Sequence, residues 1–598
     1  MEALKASEVK LTNGLFKERE SINRNYLLSL DNRALLQNFY LEAGIILPDL
    51  QVVENPQNSY LHWGWEAPSC QLRGHFLGHW LSAAARLVSS NSDRELEAKL
   101  KTIIDELRIC QENNGGKWIG SIPEKYFQRL KDGKYIWSPQ YTLHKTLMGL
   151  LDAYVLTGYE PALDILDNAS DWYVEWVHSL LDTPGIVLKG ESGGMLEIWA
   201  RLYKLTNKEK YLELANAYYY SEFDSYLEGR DVLTDNHANA SIPQIHGAAS
   251  MYEATGDGKW IKIIKEFWKQ AVITRDSYAT GGQNAGEFWI APNMFYSAMS
   301  SRTQEFCTMY NMVRLADYLY CFTGDSQYTD YIEHILYNAF LTQQNKTNAM
   351  TTYFLPMAPA SHKKWSTPTR DFWCCNGTMV QAQTLYTGLI YYKDIKENLI
   401  SIEQYINSKA DFDFNHNRIS ISIDTDMDYC QGALFGENKS SDNKIFDNKS
   451  RWSFVISLTS EKEVNLRLRI PGWAAKAYIN GIEVSPDNGY YVISKIFKNE
   501  KIAVQFENSL SLRTIKDNEN IAAVLDGPIV LAAIGHNAES YSLAGEKVSD
   551  VLTVFNEHTY DTYPWQQTSY RTKNNNGEVL FVPLYDITDE EYTIYIHK

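Results

Sequence analysis

The chain has 598 residues, 44% hydrophobic and 22% charged. This is a globular composition that excludes disorder, but it is too long for one core, since cores stop growing near about 250–300 residues. The net charge of −18, with no basic stripe to offset it, excludes a nucleic-acid-binding surface, which depends on clustered Lys and Arg. No stretch approaches the roughly 20 apolar residues of a membrane helix. The N-terminus, MEALKASEVKLTNGLF, has acidic and polar residues where a secretory leader places its apolar run. A soluble cytoplasmic protein without membrane contact is expected, with a removed leader as the alternative.

The first two thirds of the chain read as helices. HFLGHWLSAAARLVSS (75–90) and YTLHKTLMGLLDAYVLTG (141–158) carry apolar residues at helical spacing. A pattern then recurs: an aromatic-rich helix, a Thr-Gly-like break, and another helix. The breaks fall at Thr157, Thr206, Thr255 and Thr323, the first three roughly 50 residues apart, a period that signals helical hairpins unable to bury their apolar faces alone. Such hairpins stack as an open solenoid or close into an (α/α) toroid with a central concave site. The last interval is longer, and its excess coincides with the Gly-rich YATGGQNAGEFWIAPN, which carries the lone carboxylate Glu287. Long loops in compact repeats are commonly functional.

After about residue 396, segments such as NLISIEQYI, RISISIDTD, EVNLRLRIPGW and KIAVQFENSLSLR alternate apolar and polar residues between turns, which predicts antiparallel β-sandwich structure. A second β unit is expected to begin near NENIAAVLDGPIVLAAIG (518–535).

The seven cysteines are Cys70, Cys110, Cys307, Cys321, Cys374, Cys375 and Cys430. An odd count in a large chain does not read as a disulfide framework. Glu305-Phe306-Cys307 in RTQEFCTMYNM and Cys374-Cys375 in DFWCCNGT offer three thiols and a carboxylate, enough to close a tetrahedral zinc site. The pair lacks C-x₂-C spacing, so buried thiols acting as small hydrophobes are the competing reading. His75 and His79 (HFLGH) share one helix face but lack the Glu of HExxH, which argues against a metalloprotease.

WEAPSCQLRGHFLGHWLSA, YTLHKTLMGLLDAY, HANASIPQIHG, ATGGQNAGEFW, EFCTMYNM and TPTRDFWCCNGT resemble, in order, the blocks of the β-L-arabinofuranosidase group, glycoside hydrolase families 127 and 146. The resemblance extends to LDGPIVLAAIG near the C-terminus. It implies a multidomain α + β chain: a short strand segment at 1–14 packing on a β-domain, an (α/α)6 barrel over 15–395, and antiparallel β-sandwiches over 396–515 and 516–598. It also implies a retaining exo-glycosidase that releases terminal β-L-arabinofuranose or a related L-sugar from an oligosaccharide or glycoside. Carried over by motif, Glu305, Cys307, Cys374 and Cys375 are the Zn2+ ligands, Cys374 the nucleophile and Glu287 the general acid/base. His75, His79, His144 and His237 are candidates for binding sugar hydroxyls. Two departures bear on specificity. WEAPSCQLRGH is longer than the usual WEGPLRGH, and Ser192 stands where relatives often carry an aromatic. A homodimer through a β-domain is left open. The rival readings are a zinc-independent (α/α)-barrel hydrolase or lyase, and a non-catalytic carbohydrate-binding protein with structural zinc.

Overall fold

The computed structural model describes residues 1–46, 61–424, 451–535, 537–555, 569–572 and 579–598; Cys430 lies outside them. Six inner helices run over His75–Asn91, Pro139–Thr157, Met195–Thr206, Ala238–Thr255, Phe306–Thr323 and Cys374–Ala382. Each packs on the next, and the sixth returns to the first. The helices that follow the first five, such as Arg94–Asn113 and Glu160–His178, lie back against their inner partners.

The inner helices stop for a local reason. In the second to fifth, the last residue is Thr157, Thr206, Thr255 or Thr323, whose hydroxyl donates to the carbonyl four residues back. The next residue (Gly158, Asn207, Gly256 or Gly324) takes a left-handed conformation that Gly and Asn tolerate best. One stop signal repeated four times therefore sets the period seen in the sequence. The first two inner helices cross at glycines: a Cβ on Gly78 would stand 1.8 Å from the Lys145 carbonyl oxygen, and one on Gly149 would be 2.4 Å from that of Gly78.

Beyond the helices, the described residues form three large sheets. A five-stranded sheet runs in the order Glu2–Ala3, Tyr391–Asp394, Leu399–Ile402, Val464–Arg469 and Tyr490–Lys495. A seven-stranded sheet has Ser408–Phe414, Asn417–Asp424, Arg451–Ser460 and Glu500–Glu507 at its centre and Val9–Leu11 at one edge. The expectation of purely antiparallel pairing fails at one place, where Val464–Arg469 runs parallel to Leu399–Ile402. The third sheet begins at Leu510, because Leu510–Ile515 pairs with Asn518–Asp526. The expected boundary at 515/516 thus cuts a hairpin. Among the described residues no helix is long and apolar enough to cross a membrane.

The third sheet backs the helical part. Its inner residues, among them Val530, Ala532 and Val582, form one cluster with Tyr278, Ala279, Ile290 and Phe295 of the Gly-rich loop and with Leu355 and Met357. Tyr595 accepts a hydrogen bond from the Ala279 amide at 2.7 Å, and the Asp517 carboxylate accepts from the amides of Tyr296 and Ser297.

Candidate active site

The inner helices point their N-termini at one region, and the chemistry gathers there. Glu305 is the N-cap of the fifth helix and Cys307 lies in its first turn, while Cys374 and Cys375 open the sixth. Asn376 fixes that start by accepting from the Trp373 amide at 2.9 Å and donating to Ser366. Unsatisfied N–H groups at these ends favour negative charge.

The donor atoms of Glu305, Cys307, Cys374 and Cys375 all lie within 4.8 Å of one another, and all four residues are buried. Sγ of Cys307 is 3.4 Å from Sγ of Cys375, which is 3.9 Å from Sγ of Cys374, itself 3.7 Å from Oε1 of Glu305. A tetrahedral ion with Zn–S near 2.3 Å would hold its sulfurs about 3.8 Å apart, so the spacing fits zinc closely. The electrostatics fit as well. Burial pushes Glu305, Cys307 and Cys375 well above their usual values, so each resists charge unless a cation joins it. Burial also pushes the Cys374 thiol up, but its hydrogen bonding with Cys307, Cys375 and Tyr353 outweighs this and holds the thiol well below its usual value.

Glu287 sits in the tight turn of a two-stranded ribbon, Asn284–Ala285 with Phe288–Trp289. Its carbonyl accepts from the Ala238 amide at 2.8 Å, and Asn284 ties the ribbon to the metal-ligand candidates by accepting from the Glu305 amide. The Tyr353 hydroxyl donates to Oε1 of Glu287 at 2.5 Å and stands 3.3 Å from Sγ of Cys374. Acid and thiol are therefore under about 6 Å apart with one hydroxyl between them. That upper bound is short of the gap that inverting glycosidases leave for water.

The histidines divide. His237, the N-cap of the fourth inner helix, places Nδ1 3.3 Å from Glu191 and Nε2 3.9 Å from Glu287. With both carboxylates it lines a cleft of about 610 Å³. His144 borders an adjoining void of about 30 Å³ with Tyr141, Lys145 and Glu191, and its Nε2 has no hydrogen-bond partner among the described residues. His75 is fully buried, donates from Nε2 to the Phe372 carbonyl at 2.8 Å and leaves Nδ1 without a partner among the described residues. His79 is also fully buried, bonded to Gln381 at 2.6 Å and pressed against Gly377. It supports the Cys-Cys helix from below and lines neither cavity. Ser192 faces inward to Tyr220 at 3.0 Å.

Sequence reasoning misses Tyr353, Glu191 and Lys145. Lys145 is a buried amine over the Tyr141 ring at 4.5 Å, drawn down to about 8 by burial. Each stands alone in its segment, with no spacing that links it to the cysteines. It also misses Glu66, a buried carboxylate that accepts from the amides of Gly74 and Phe76 at the start of the first inner helix and is pushed up to about 7 by burial.

The family model described as Beta-L-arabinofuranosidase, GH127 catalytic domain, matches residues 8–388. Among solved structures, a GH127 β-arabinofuranosidase is similar with a TM-score of 0.71 and 17% identity, over 100% of this chain and 97% of its own. A GH127 β-L-arabinofuranosidase from Geobacillus stearothermophilus T6 is similar with a TM-score of 0.68 and 15% identity, over 98% of this chain and 99% of its own. Another, a glycoside hydrolase, has a TM-score of 0.69 and 15% identity, over 100% and 97%. These likenesses are of fold. No curated protein matches the sequence.

Proposed function

The chain belongs to glycoside hydrolase family 127, and from that premise we propose a retaining exo-glycosidase that releases terminal β-L-arabinofuranose, with Cys374 as nucleophile and Glu287 as acid/base. The observation that carries this reading is the Tyr353 hydroxyl, which touches both Glu287 and Cys374 while Cys374 belongs to the buried cluster. The circuit of six inner helices, closed by the sixth on the first, supports an (α/α)6 barrel with this site at its N-terminal mouth.

Glu305, Cys307, Cys374 and Cys375 would hold zinc. When bound, the ion would keep the thiols deprotonated at neutral pH. Sγ of Cys374 attacks the anomeric carbon as the bond to the leaving oxygen breaks, and Glu287 gives that oxygen its proton. The sugar is then held on Cys374 through a C–S bond. Glu287, now a carboxylate, takes a proton from water, whose oxygen attacks the same carbon and returns Cys374 as thiolate. Two inversions restore the β configuration. Glu287 is suited to both proton transfers, since its side chain is 35% exposed and lines the cleft. His144 and His237 stand where they can bond sugar hydroxyls, His144 from a ring that burial keeps neutral.

The test is zinc per chain together with hydrolysis of an aryl β-L-arabinofuranoside by wild type and Cys374→Ser. One zinc, turnover by wild type and a loss of about 10³-fold or more in the variant are expected. Full turnover in a zinc-free wild type, or in Cys374→Ser, would overturn the thiol mechanism. Glu287→Gln keeps all four metal ligands and is expected to retain zinc while losing turnover, most severely with poor leaving groups.

A further inference from the structure

The cleft changes chemical character along its lining. Its acidic groups, Glu191 and Glu287, are half-buried beside His237. Its more exposed lining, the mouth, comes from residues 133–137 and from Ile186, Lys189 and Gly190. Each stretch carries one lysine, Lys134 and Lys189, both exposed. Among the described residues neither ammonium pairs with a carboxylate, although the chain carries a net charge of −18. The same cleft is lined by two uncovered rings, Tyr135 at 85% exposure and Trp137 at 37%.

The aromatic wall is built rather than incidental. Trp137 packs edge-on against Trp65 with ring centroids 5.1 Å apart, and its amide donates to Oε1 of Gln71 at 2.6 Å. Gln71 falls in the Ser69-Cys70-Gln71 stretch that lengthens WEAPSCQLRGH relative to the usual family block. Gln71 thus holds the backbone that carries the ring. Exposed flat rings offer stacking area for a pyranose face. Unpaired lysines at the same place offer charge to a substituent on it.

We propose that this mouth is the subsite for the sugar on the leaving-group side of the scissile bond, and that this sugar is a pyranose bearing an anionic group. A uronic acid and a sulfated sugar share that chemistry. The inference rests on the glycosidase reading of the site and adds the substrate class. Tyr135 and Trp137 supply contact area to any pyranose, and Lys134 and Lys189 discriminate in favour of the charged one.

The experiment compares kcat/KM for β-L-arabinofuranosyl disaccharides whose second sugar is galacturonic acid, its methyl ester, or 6-O-sulfated galactose. Wild type is expected to favour the charged sugars over the neutral ester by about tenfold at low salt, as two exposed ion pairs allow. The preference collapses toward unity near about 0.5 M salt, where such pairs are screened. Lys134→Gln combined with Lys189→Gln brings the ratio to about one at all salt concentrations, and Tyr135→Ala lowers both rates without changing the ratio. Uronate and sulfate are told apart by which charged substrate is faster. A wild-type ratio near one, or a double variant that keeps the preference, overturns the proposal. If no arabinofuranoside is cleaved, the glycosidase specificity fails by itself. Calorimetric binding of digalacturonate and its methyl ester to wild type and to the double variant then decides the subsite: charge-selective binding lost in the variant supports it, and unselective or unchanged binding sinks it.

Discussion

The Tyr353 hydroxyl donates to Glu287 and lies against Cys374, so it fixes where the acid's proton sits relative to the thiol. Tyr353→Phe keeps the ring and removes that bridge. We expect kcat/KM on aryl arabinofuranosides to fall roughly 10–100-fold with zinc stoichiometry unchanged, as metal analysis of the same sample will show. His237 has a separate signature. Burial lowers its pKa, but the hydrogen bond to Glu191 and the charges of Glu191 and Glu287 outweigh this and raise it above the usual histidine value. A histidine with a raised folded pKa adds stability that is fully present below its unfolded pKa near about 6.5 and is lost as pH rises through the folded value. Glu191→Gln should shift the His237 titration, followed by NMR of labelled histidine, to lower pH and shrink that contribution; an unmoved titration would show that Glu191 is not the partner. Adjacent cysteines and a carboxylate in a Gly-rich loop stand out in the sequence, but the grouping of the thiols with Glu287 comes only through the family resemblance. Tyr353 and Glu191 are not legible there, since they join the group only through the fold.

At the scale of elements, the cysteine helix Cys374–Ala382 is nine residues long and is held by what it packs on. A Cβ on Gly377 would stand 2.2 Å from the His79 ring, which is wholly buried and bonded to Gln381. Gly377→Ala therefore has to displace the helix. We expect a loss of about 1–3 kcal/mol in stability and a larger fractional loss of bound zinc, both measurable on purified protein by thermal melts and metal analysis. Helix stops were readable before the structure, because Thr157, Thr206, Thr255 and Thr323 act within a single turn. Strand membership was not. Alternation shows that Leu510–Ile515 is a strand, but not that its partner lies across the expected boundary, nor that Val464–Arg469 runs parallel to Leu399–Ile402.

At the scale of the molecule, the third sheet holds the loop that presents Glu287. Tyr595→Phe would leave the buried Ala279 amide without its acceptor, at a cost of about 1–3 kcal/mol. Because the loop carries Glu287, the proposed acid, and not the four cluster residues, we expect kcat to fall several-fold while zinc content and KM change little; loss of zinc instead would mean that the sheet supports the whole site. The circuit of inner helices also orders events in time. Val9–Leu11 finds its partner only at Ser408–Phe414, and the first inner helix meets the sixth only when Cys374–Ala382 is available. A chain emerging from the ribosome thus carries Glu305 and Cys307 well before the residues that complete their cluster. Domains form as units during synthesis, so the four-residue cluster is complete only once the sixth inner helix has joined the first.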